Sequence, residues 1–261
     1  MPGDLIIDRP ADGVLRLAIS NPAKRNALDH AILAAITDEL SSLQDSRCVI
    51  LTGADGMFSS GYDISDIPPE TFAEEAEKLV AHPFCSALAA LDAVDIPTLA
   101  VLTGPTIGGG LELALACDLR LASSHIKLGM PPAKLGLVYS HTGLRRFVNA
   151  IGEPRTRELF LLGRYIDADT AQAWGLVNWV VDKSELETNA LELATQLAAN
   201  SPLSMAGNKR VLRELLHAEG ALDPDVEREL LALRASSFES EDMLEGVSAF
   251  AQKRSPSWKG R

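Results

Sequence analysis

The stretch from Ile96 to Cys117 restricts the fold of this chain more than any other. It is apolar and about as long as a membrane-spanning helix. It also carries Pro97, Pro105, the run Gly108-Gly109-Gly110 and Glu112. Prolines break a helix interior, glycines weaken it, and a carboxylate is costly to bury in lipid. The stretch therefore reads as a buried strand over Thr98–Leu102, a tight turn, and a buried helix over about Leu111–Cys117. A further strand, Leu119-Arg120-Leu121-Ala122, follows.

The same succession occurs upstream. Leu28, Ile32, Leu33, Ile36, Leu40 and Leu43 recur at helical spacing, which predicts an amphipathic helix. The apolar run Cys48–Thr52 predicts a buried strand that Gly53 ends, and a helical stretch around Cys85–Val94 leads into Thr98. Leu5 to Ser20 reads as two short strands around Ala11-Asp12-Gly13. Beyond Gly143 the pattern is mainly helical, over Thr156–Leu162, Ala168–Trp174, Glu185–Ala199, Met205–Leu216, Asp225–Ala235 and Asp242–Lys253. Alternating helices and buried strands predict an α/β fold, with a core over residues 1–200 and a helical region over 201–261. Apolar faces in that last region suggest subunit packing.

With 46% hydrophobic residues, 261 residues are enough to bury a large core. The formal net charge of −12 argues against a general nucleic-acid binder. An anionic ligand would need a local cluster of basic residues. Cys48, Cys85 and Cys117 lack metal-ligand spacing and are expected to be buried, reduced thiols of a cytoplasmic protein. Met1-Pro2-Gly3-Asp4 lacks a basic region followed by an apolar run, so no secretory signal is expected.

The chemistry gathers at two glycine turns. The first N–H groups of a helix lack intrahelical partners, and the helix dipole makes that end partly positive. Glycine permits close approach. Gly108-Gly109-Gly110 at a helix start thus suits a negative oxygen, or equally a tight turn packed against a neighbour. Glu112 lies three residues after Gly109, among Leu111, Leu113 and Ala114. A carboxylate there is costly without a partner or a function. A raised pKa would suit it to proton transfer; capping its own helix start is the alternative. The first apolar strand ends in a small-residue loop, Gly53 to Ile64, able to bring a second backbone N–H to the same point.

Phe58-Ser59-Ser60-Gly61-Tyr62-Asp63-Ile64 and Gly108-Gly109-Gly110-Leu111-Glu112-Leu113-Ala114 resemble the two oxyanion-hole motifs of the crotonase family, the enoyl-CoA hydratase/isomerase superfamily. Asn21-Pro22-Ala23-Lys24-Arg25-Asn26-Ala27-Leu28 resembles its CoA-binding loop. Gly163 to Ala168 with Gly175-Leu176-Val177, and Glu241 to Arg254, resemble two later family segments. The resemblance implies a spiral of ββα units with a C-terminal helical trimerisation region, assembled as trimers or dimers of trimers. It implies an enzyme that forms an oxyanion-stabilised thioester enolate, with coenzyme A as part of the substrate and no permanently bound cofactor. By position, Tyr62 and Gly109 would donate their backbone N–H groups. Lys24 and Arg25 would lie near the CoA phosphates or adenine, with Ala27, Ser60, Asp63 and Ile64 lining the adenine and pantetheine path. Phe250 and Lys253 would close the nucleotide pocket, in this family often from a neighbouring subunit.

The sequence departs from the family's hydratases at one point. Their second glutamate falls at Pro132, and proline transfers no proton. The next stretch, Leu137 to Gly143, resembles a segment of the family's methylmalonyl-CoA decarboxylases that sets a tyrosine near the thioester, here at Tyr139. Tyr139 then reads either as a proton source or as a core tyrosine bonded to a carbonyl. His141 reads more simply as a structural donor, and Lys134 as a solvated residue. Hydration or isomerisation of an enoyl-CoA, decarboxylation of a malonyl-type acyl-CoA, and a CoA-binding scaffold without chemistry are the readings that follow. The acyl pocket walls are expected partly from Phe72–Phe84.

Overall fold

The computed structural model describes residues 2–63, 75, 78, 83–219 and 224–259. Its strands are β1 (Asp4–Ala11), β2 (Val14–Ser20), β3 (Cys48–Gly53), β4 (Thr98–Leu102), β5 (Thr106–Ile107), β6 (Leu119–Ser123), β7 (Lys127–Gly129), β8 (Tyr165–Asp167) and β9 (Trp179–Val181). Its helices are α1 (His30–Ser41), α2 (Cys85–Ala93), α3 (Gly109–Ala116), α4 (Pro132–Leu135), α5 (His141–Leu162), α6 (Ala168–Ala173), α7 (Leu186–Ala199), α8 (Pro202–Glu219), α9 (Pro224–Phe238) and α10 (Glu241–Ala251).

Two sheets organise these elements. The larger runs β1-β2-β3-β4-β6-β9 and the smaller β5-β7-β8. Only β1 and β2 pair antiparallel in the large sheet; the rest is parallel. The chain passes from β4 to β5 and from β6 to β7, so each of these turns leaves one strand in each sheet. The expected α/β alternation is therefore correct, and the short strands β5, β7, β8 and β9 are additions to it. They are two or three residues long, too short to show periodicity in a sequence.

The central strands bury both faces, and their period-two alternation divides them between two cores. Val49, Leu51, Ala100 and Leu102 join the main core with α1 and α3. Cys48, Ile50, Leu99 and Val101 face the opposite side, beneath Leu186, Ala190 and Ala194 of α7. Cys85 departs from the expectation of a buried thiol: it is exposed. The buried stripe of α2 runs through Ala87, Leu88 and Leu91, and Cys85 falls to one side of it.

Local signals set the helix ends. The Asp29 carboxylate accepts from the Ile32 N–H and starts α1 at His30, two residues later than the apolar spacing suggests. Leu28 instead bridges Tyr62. Thr156–Leu162 proves to be the second half of α5, whose earlier turns begin at Ser140 and bend at Gly152 (φ 75°) before Pro154. Close backbone contacts bring the C-terminal helices back to the core. A Cβ on Gly246 would stand 2.6 Å from the Leu135 carbonyl, and one on Gly136 2.8 Å from the Asp242 backbone. Further out, Leu203 is 85% and Phe250 63% exposed. Among the described residues, no helix is long and apolar enough to cross a membrane.

Two buried asparagines hold the loops that lead to the glycine turns. Asn26 donates to the Ala54 and Met57 carbonyls, both at 2.8 Å, and accepts from the Asn21 N–H at 2.8 Å. Asn21 donates to the Ala27 carbonyl at 3.1 Å. Asn26→Ala would strand three backbone groups, one buried and two part-buried, so we expect a loss of about 1–3 kcal/mol in urea unfolding. A change below about 0.5 kcal/mol would show that the loops hold without these bonds.

Candidate active site

The loop after β3 acts as an unfinished strand of the small sheet. Ser59 bridges Thr106 of β5, and Tyr62 bridges Leu28 on the other edge. The Leu28 N–H donates to the Gly61 carbonyl (2.8 Å) and the Asp63 N–H to the Leu28 carbonyl (3.0 Å). In a parallel bridge of this kind the intervening Tyr62 N–H points away from Leu28. Gly61 makes the turn with φ +98°, and its Cα faces the start of α3: a Cβ there would stand 3.3 Å from the Gly109 nitrogen. Gly108, with φ 56° and ψ −128°, precedes the helix in a backbone conformation open to glycine. The Tyr62 and Gly109 N–H groups thus stand on facing segments. Neither donates a hydrogen bond among the described residues. At Gly109 that is the expected state of a first-turn helix donor.

Glu112 lies one turn into α3 and is 2% exposed. The Tyr139 hydroxyl donates to Glu112 Oε2, and the Tyr62 and Tyr139 hydroxyl oxygens are 3.4 Å apart. Glu112 does not cap its own helix through that oxygen, and Tyr139 bonds a carboxylate rather than a carbonyl. Gly143 completes the cradle: a Cβ on it would meet Glu112 Oε1 at 2.8 Å and the Tyr139 ring at 2.6 Å. It stands in the first turn of α5, where its N–H donates to Ser140 Oγ. Glu112 therefore approaches the positive end of a second helix.

Burial raises the Glu112 pKa above the ordinary 4.5; the Tyr139 hydrogen bond and the positive charges of Arg146 and Arg234 oppose the rise. Burial and the Glu112 charge likewise push the Tyr62 and Tyr139 phenols well above 10. Arg146 is clamped by both carboxylate oxygens of Asp92, one of them at 2.9 Å. Arg234 lies on α9 and is 7% exposed. The Tyr62 ring packs edge-on against Phe84, with centroids 4.8 Å apart.

A second group lies across the same loop. Lys24 Nζ is 2.7 Å from Asp63 Oδ2. Ser60 donates its hydroxyl to the Lys24 carbonyl and its N–H to the Arg25 carbonyl, both at 3.1 Å. Arg25 and Asn26 adopt left-handed backbone (φ 54° each), which folds the loop over Ala27. Lys24, Arg25, Ala27, Ser60 and Asp63 are therefore neighbours. Phe250 and Lys253, at the exposed end of α10, make no hydrogen bond to any of them among the described residues. Ile64, and most of the Phe72–Phe84 stretch, lie outside the described residues.

His141 Nε2 is 3.3 Å from Glu227 on α9. Lys134 lies over the Tyr165 ring, 5.7 Å from the centroid. Pro132 is buried as the first residue of α4. The sequence reading missed the Tyr62 phenol, Gly143, Arg146 with Asp92, and Arg234. Of these only Gly143 left a sequence signal, as a small residue three positions after the capping Ser140.

A raised folded-state pKa means the neutral form of Glu112 favours folding. Its stabilising contribution is full below pH 4.5 and is lost as pH rises through the raised value. In thermal melts between about pH 4 and pH 8, Glu112→Gln should melt above the wild type at neutral pH, and the gap should close on acidification. A gap independent of pH would contradict this.

The family model described as enoyl-CoA hydratase/isomerase matches residues 9–261. The chain is 33% identical over 263 residues to a 2,3-dehydroadipyl-CoA hydratase of Escherichia coli, covering 99% of each chain. It is 34% identical over 258 residues to a carnitinyl-CoA dehydratase of Salmonella enteritidis, covering 95% of each. A solved structure of methylmalonyl-CoA decarboxylase with 2-nitronate-propionyl-CoA aligns with a TM-score of 0.89, at 28% identity over 98% of each chain. An enoyl-CoA hydratase/isomerase structure from Pseudoalteromonas atlantica aligns with a TM-score of 0.82, at 28% identity over 98% of this chain and 99% of that one. The α/β spiral with its helical C-terminal region is thus a crotonase-like fold, and the chain belongs to the enoyl-CoA hydratase/isomerase family.

Proposed function

We propose that the chain processes an acyl-CoA through a thioester enolate, held by the Tyr62 and Gly109 N–H groups and protonated or deprotonated by Glu112 with Tyr139. One observation carries this reading: a buried carboxyl bonded to a phenol, one turn from backbone donors left open toward the facing loop. As the C2 proton leaves to Glu112, its electron pair moves onto the thioester oxygen. Two fixed donors aimed at that oxygen lower the barrier, and losing one typically costs about 10²–10³ in kcat. The raised pKa of Glu112 brings it nearer neutral pH, where it both accepts and returns a proton.

Lys24, Arg25, Ala27, Ser60, Asp63 and Ile64 line the path of the CoA moiety in this reading. Phe250 and Lys253 approach it from a neighbouring subunit, with residues 201–261 as the oligomerisation region of a cytoplasmic trimer or dimer of trimers. The exposure of Phe250 and of apolar residues on α8 supports this.

Double-bond isomerisation needs only one carrier, since Glu112 takes the proton at one carbon and returns it at another. Hydration by two carboxylates lacks its second member at Pro132. The Tyr139–Glu112 bond favours decarboxylation as a second reading. There the bond to the carboxylate breaks, the electron pair enters the thioester, carbon dioxide leaves, and Tyr139 supplies the proton to C2. The likeness to a methylmalonyl-CoA decarboxylase supports the same route.

Incubation with crotonyl-CoA, a 3-enoyl-CoA and methylmalonyl-CoA, each followed by mass, separates these routes. Isomerisation should fall about 10²–10⁴-fold in Glu112→Gln, and carbon dioxide release should fall in Tyr139→Phe. Fast water addition to crotonyl-CoA would overturn the argument from Pro132. CoA binding without turnover of any substrate would favour a scaffold. Gly143→Ala should lower kcat about 10²-fold by displacing Glu112 and Tyr139 while circular dichroism stays native; full activity would show that the cradle tolerates a methyl group.

A further inference from the structure

The Tyr62 phenol has no part in the chemistry above, which draws only on that residue's N–H, yet it stands inside the site. Its ring lies against the head of α3, where a Cβ on Gly109 would meet it at 2.5 Å. Phe84, itself buried, packs edge-on against the ring at an interplanar angle of 84°. The Tyr62 hydroxyl oxygen is 3.4 Å from that of Tyr139, and Tyr139 donates to Glu112 Oε2. A phenol has a single O–H to give and lone pairs with which to accept. Tyr139 gives its proton to the carboxylate, so in the pair of phenols Tyr62 is the donor. The three groups form a row that runs one way, from Tyr62 to Tyr139 to Glu112. Burial and the Glu112 charge hold both phenols well above pH 10, so both keep their protons at neutral pH. The other charges acting on Glu112 are those of Arg146 on α5, Asp92 on α2 and Arg234 on α9. Arg234 and the Cys85 thiol of α2 act on Tyr62.

We propose that the Tyr62 phenol is a positioning residue for proton transfer that acts through Tyr139: by donating to the Tyr139 oxygen it keeps the Tyr139 proton on the Glu112 carboxylate. This rests on the acyl-CoA reading above. A phenol O–H can point to either side of its ring, and a donor at the Tyr139 oxygen leaves the side facing Glu112 for the Tyr139 proton. Hydrogen bonds in a row also polarise and strengthen one another in a low-dielectric site. The gain is largest where the acceptor at the end of the row is charged. The Tyr62 hydroxyl thus favours the ionised carboxyl, against the burial that favours the neutral one. Only the ionised form can take the C2 proton. In that step the C2–H bond breaks, its electron pair moves onto the thioester oxygen, and the proton goes to Glu112; both phenols keep theirs. Tyr62 then serves both ends of the enolate, its N–H at the oxygen and its side chain behind the base.

Deuterium uptake at C2 of butyryl-CoA in heavy water, followed by mass, reads the proton step by itself. If the wild type takes up none, the readout is its turnover of crotonyl-CoA or a 3-enoyl-CoA. Tyr62→Phe keeps the ring, the Phe84 contact and the N–H, and removes only the oxygen. It should lower the rate about tenfold while affinity for butyryl-CoA stays within about twofold. The acidic limb of its pH–rate profile should move to higher pH, because Glu112 then holds its proton more tightly. In a Tyr139→Phe background the same change should cost nothing further, since the row is already broken. The proposal is overturned if Tyr62→Phe matches the wild type in rate and profile, or if it costs as much without Tyr139 as with it. Rate and affinity falling together with the limb unmoved, the mark of a structural role, also overturn it. Should Tyr62→Phe not fold, NMR of tyrosine labelled with carbon-13 at Cζ decides. The chain has three tyrosines, so Tyr139→Phe and Tyr165→Phe identify the Tyr62 signal. That signal should move when Tyr139 is replaced, and an unmoved signal overturns the proposal. A wild type that only releases carbon dioxide from methylmalonyl-CoA overturns it too, since Glu112 then takes no proton. If the folded wild type acts on none of these esters, the acyl-CoA reading itself fails and the proposal with it, a result distinct from Tyr62→Phe matching an active wild type.

Discussion

The approach of Gly61 to the first turn of α3 is the contact on which the site depends. Neither segment could carry a side chain there. A Cβ on Gly61 would crowd the Gly109 nitrogen and the Ile107 carbonyl, and one on Gly109 would meet the Tyr62 ring at 2.5 Å. The approach places two main-chain donors on facing segments, and among the described residues neither has a protein acceptor. Open donors are tolerated where a ligand or water completes them, and costly elsewhere. The fold supports the contact from both sides. Ser59 anchors the loop to β5 and Leu28 anchors its far end, while Asn26 holds the loop before it.

Glu112 adds an electrostatic demand to this steric one. A carboxyl on an apolar helix must be satisfied by elements from elsewhere in the chain. Tyr139 reaches it from the end of the α4 segment, Gly143 makes room in α5, and Arg146 and Arg234 supply positive charge from α5 and α9. Three separate parts of the sequence thus converge on one carboxyl. The C-terminal helices thus bear on the site as well, because Arg234 of α9 adds positive charge that acts on Glu112.

Much of the fold was legible because periodicity and glycine are local signals. The buried strands β3 and β4, the helix α1 and the glycine-led α3 all stand close to where the apolar runs put them. Tyr62, Gly109, Glu112 and Tyr139, singled out from separate motifs, stand close together in space. What stayed hidden depends on long-range packing. Nothing near Arg234 in the sequence distinguishes it from the other arginines of a polar helix, and the helix that carries it is anchored by residues about a hundred positions earlier. Cys85 was misjudged for the opposite reason, since apolar neighbours in sequence do not put a residue on the buried stripe.

The central claim is that the two main-chain donors hold a thioester oxygen. Isotope-edited infrared spectroscopy of an acyl-CoA labelled with carbon-13 at C1 tests it most directly. Bound to this protein, the labelled carbonyl stretch should move to lower frequency than in free acyl-CoA, because two hydrogen bonds draw electron density onto the oxygen. A saturated complex whose carbonyl absorbs at the free-ligand frequency would contradict the account.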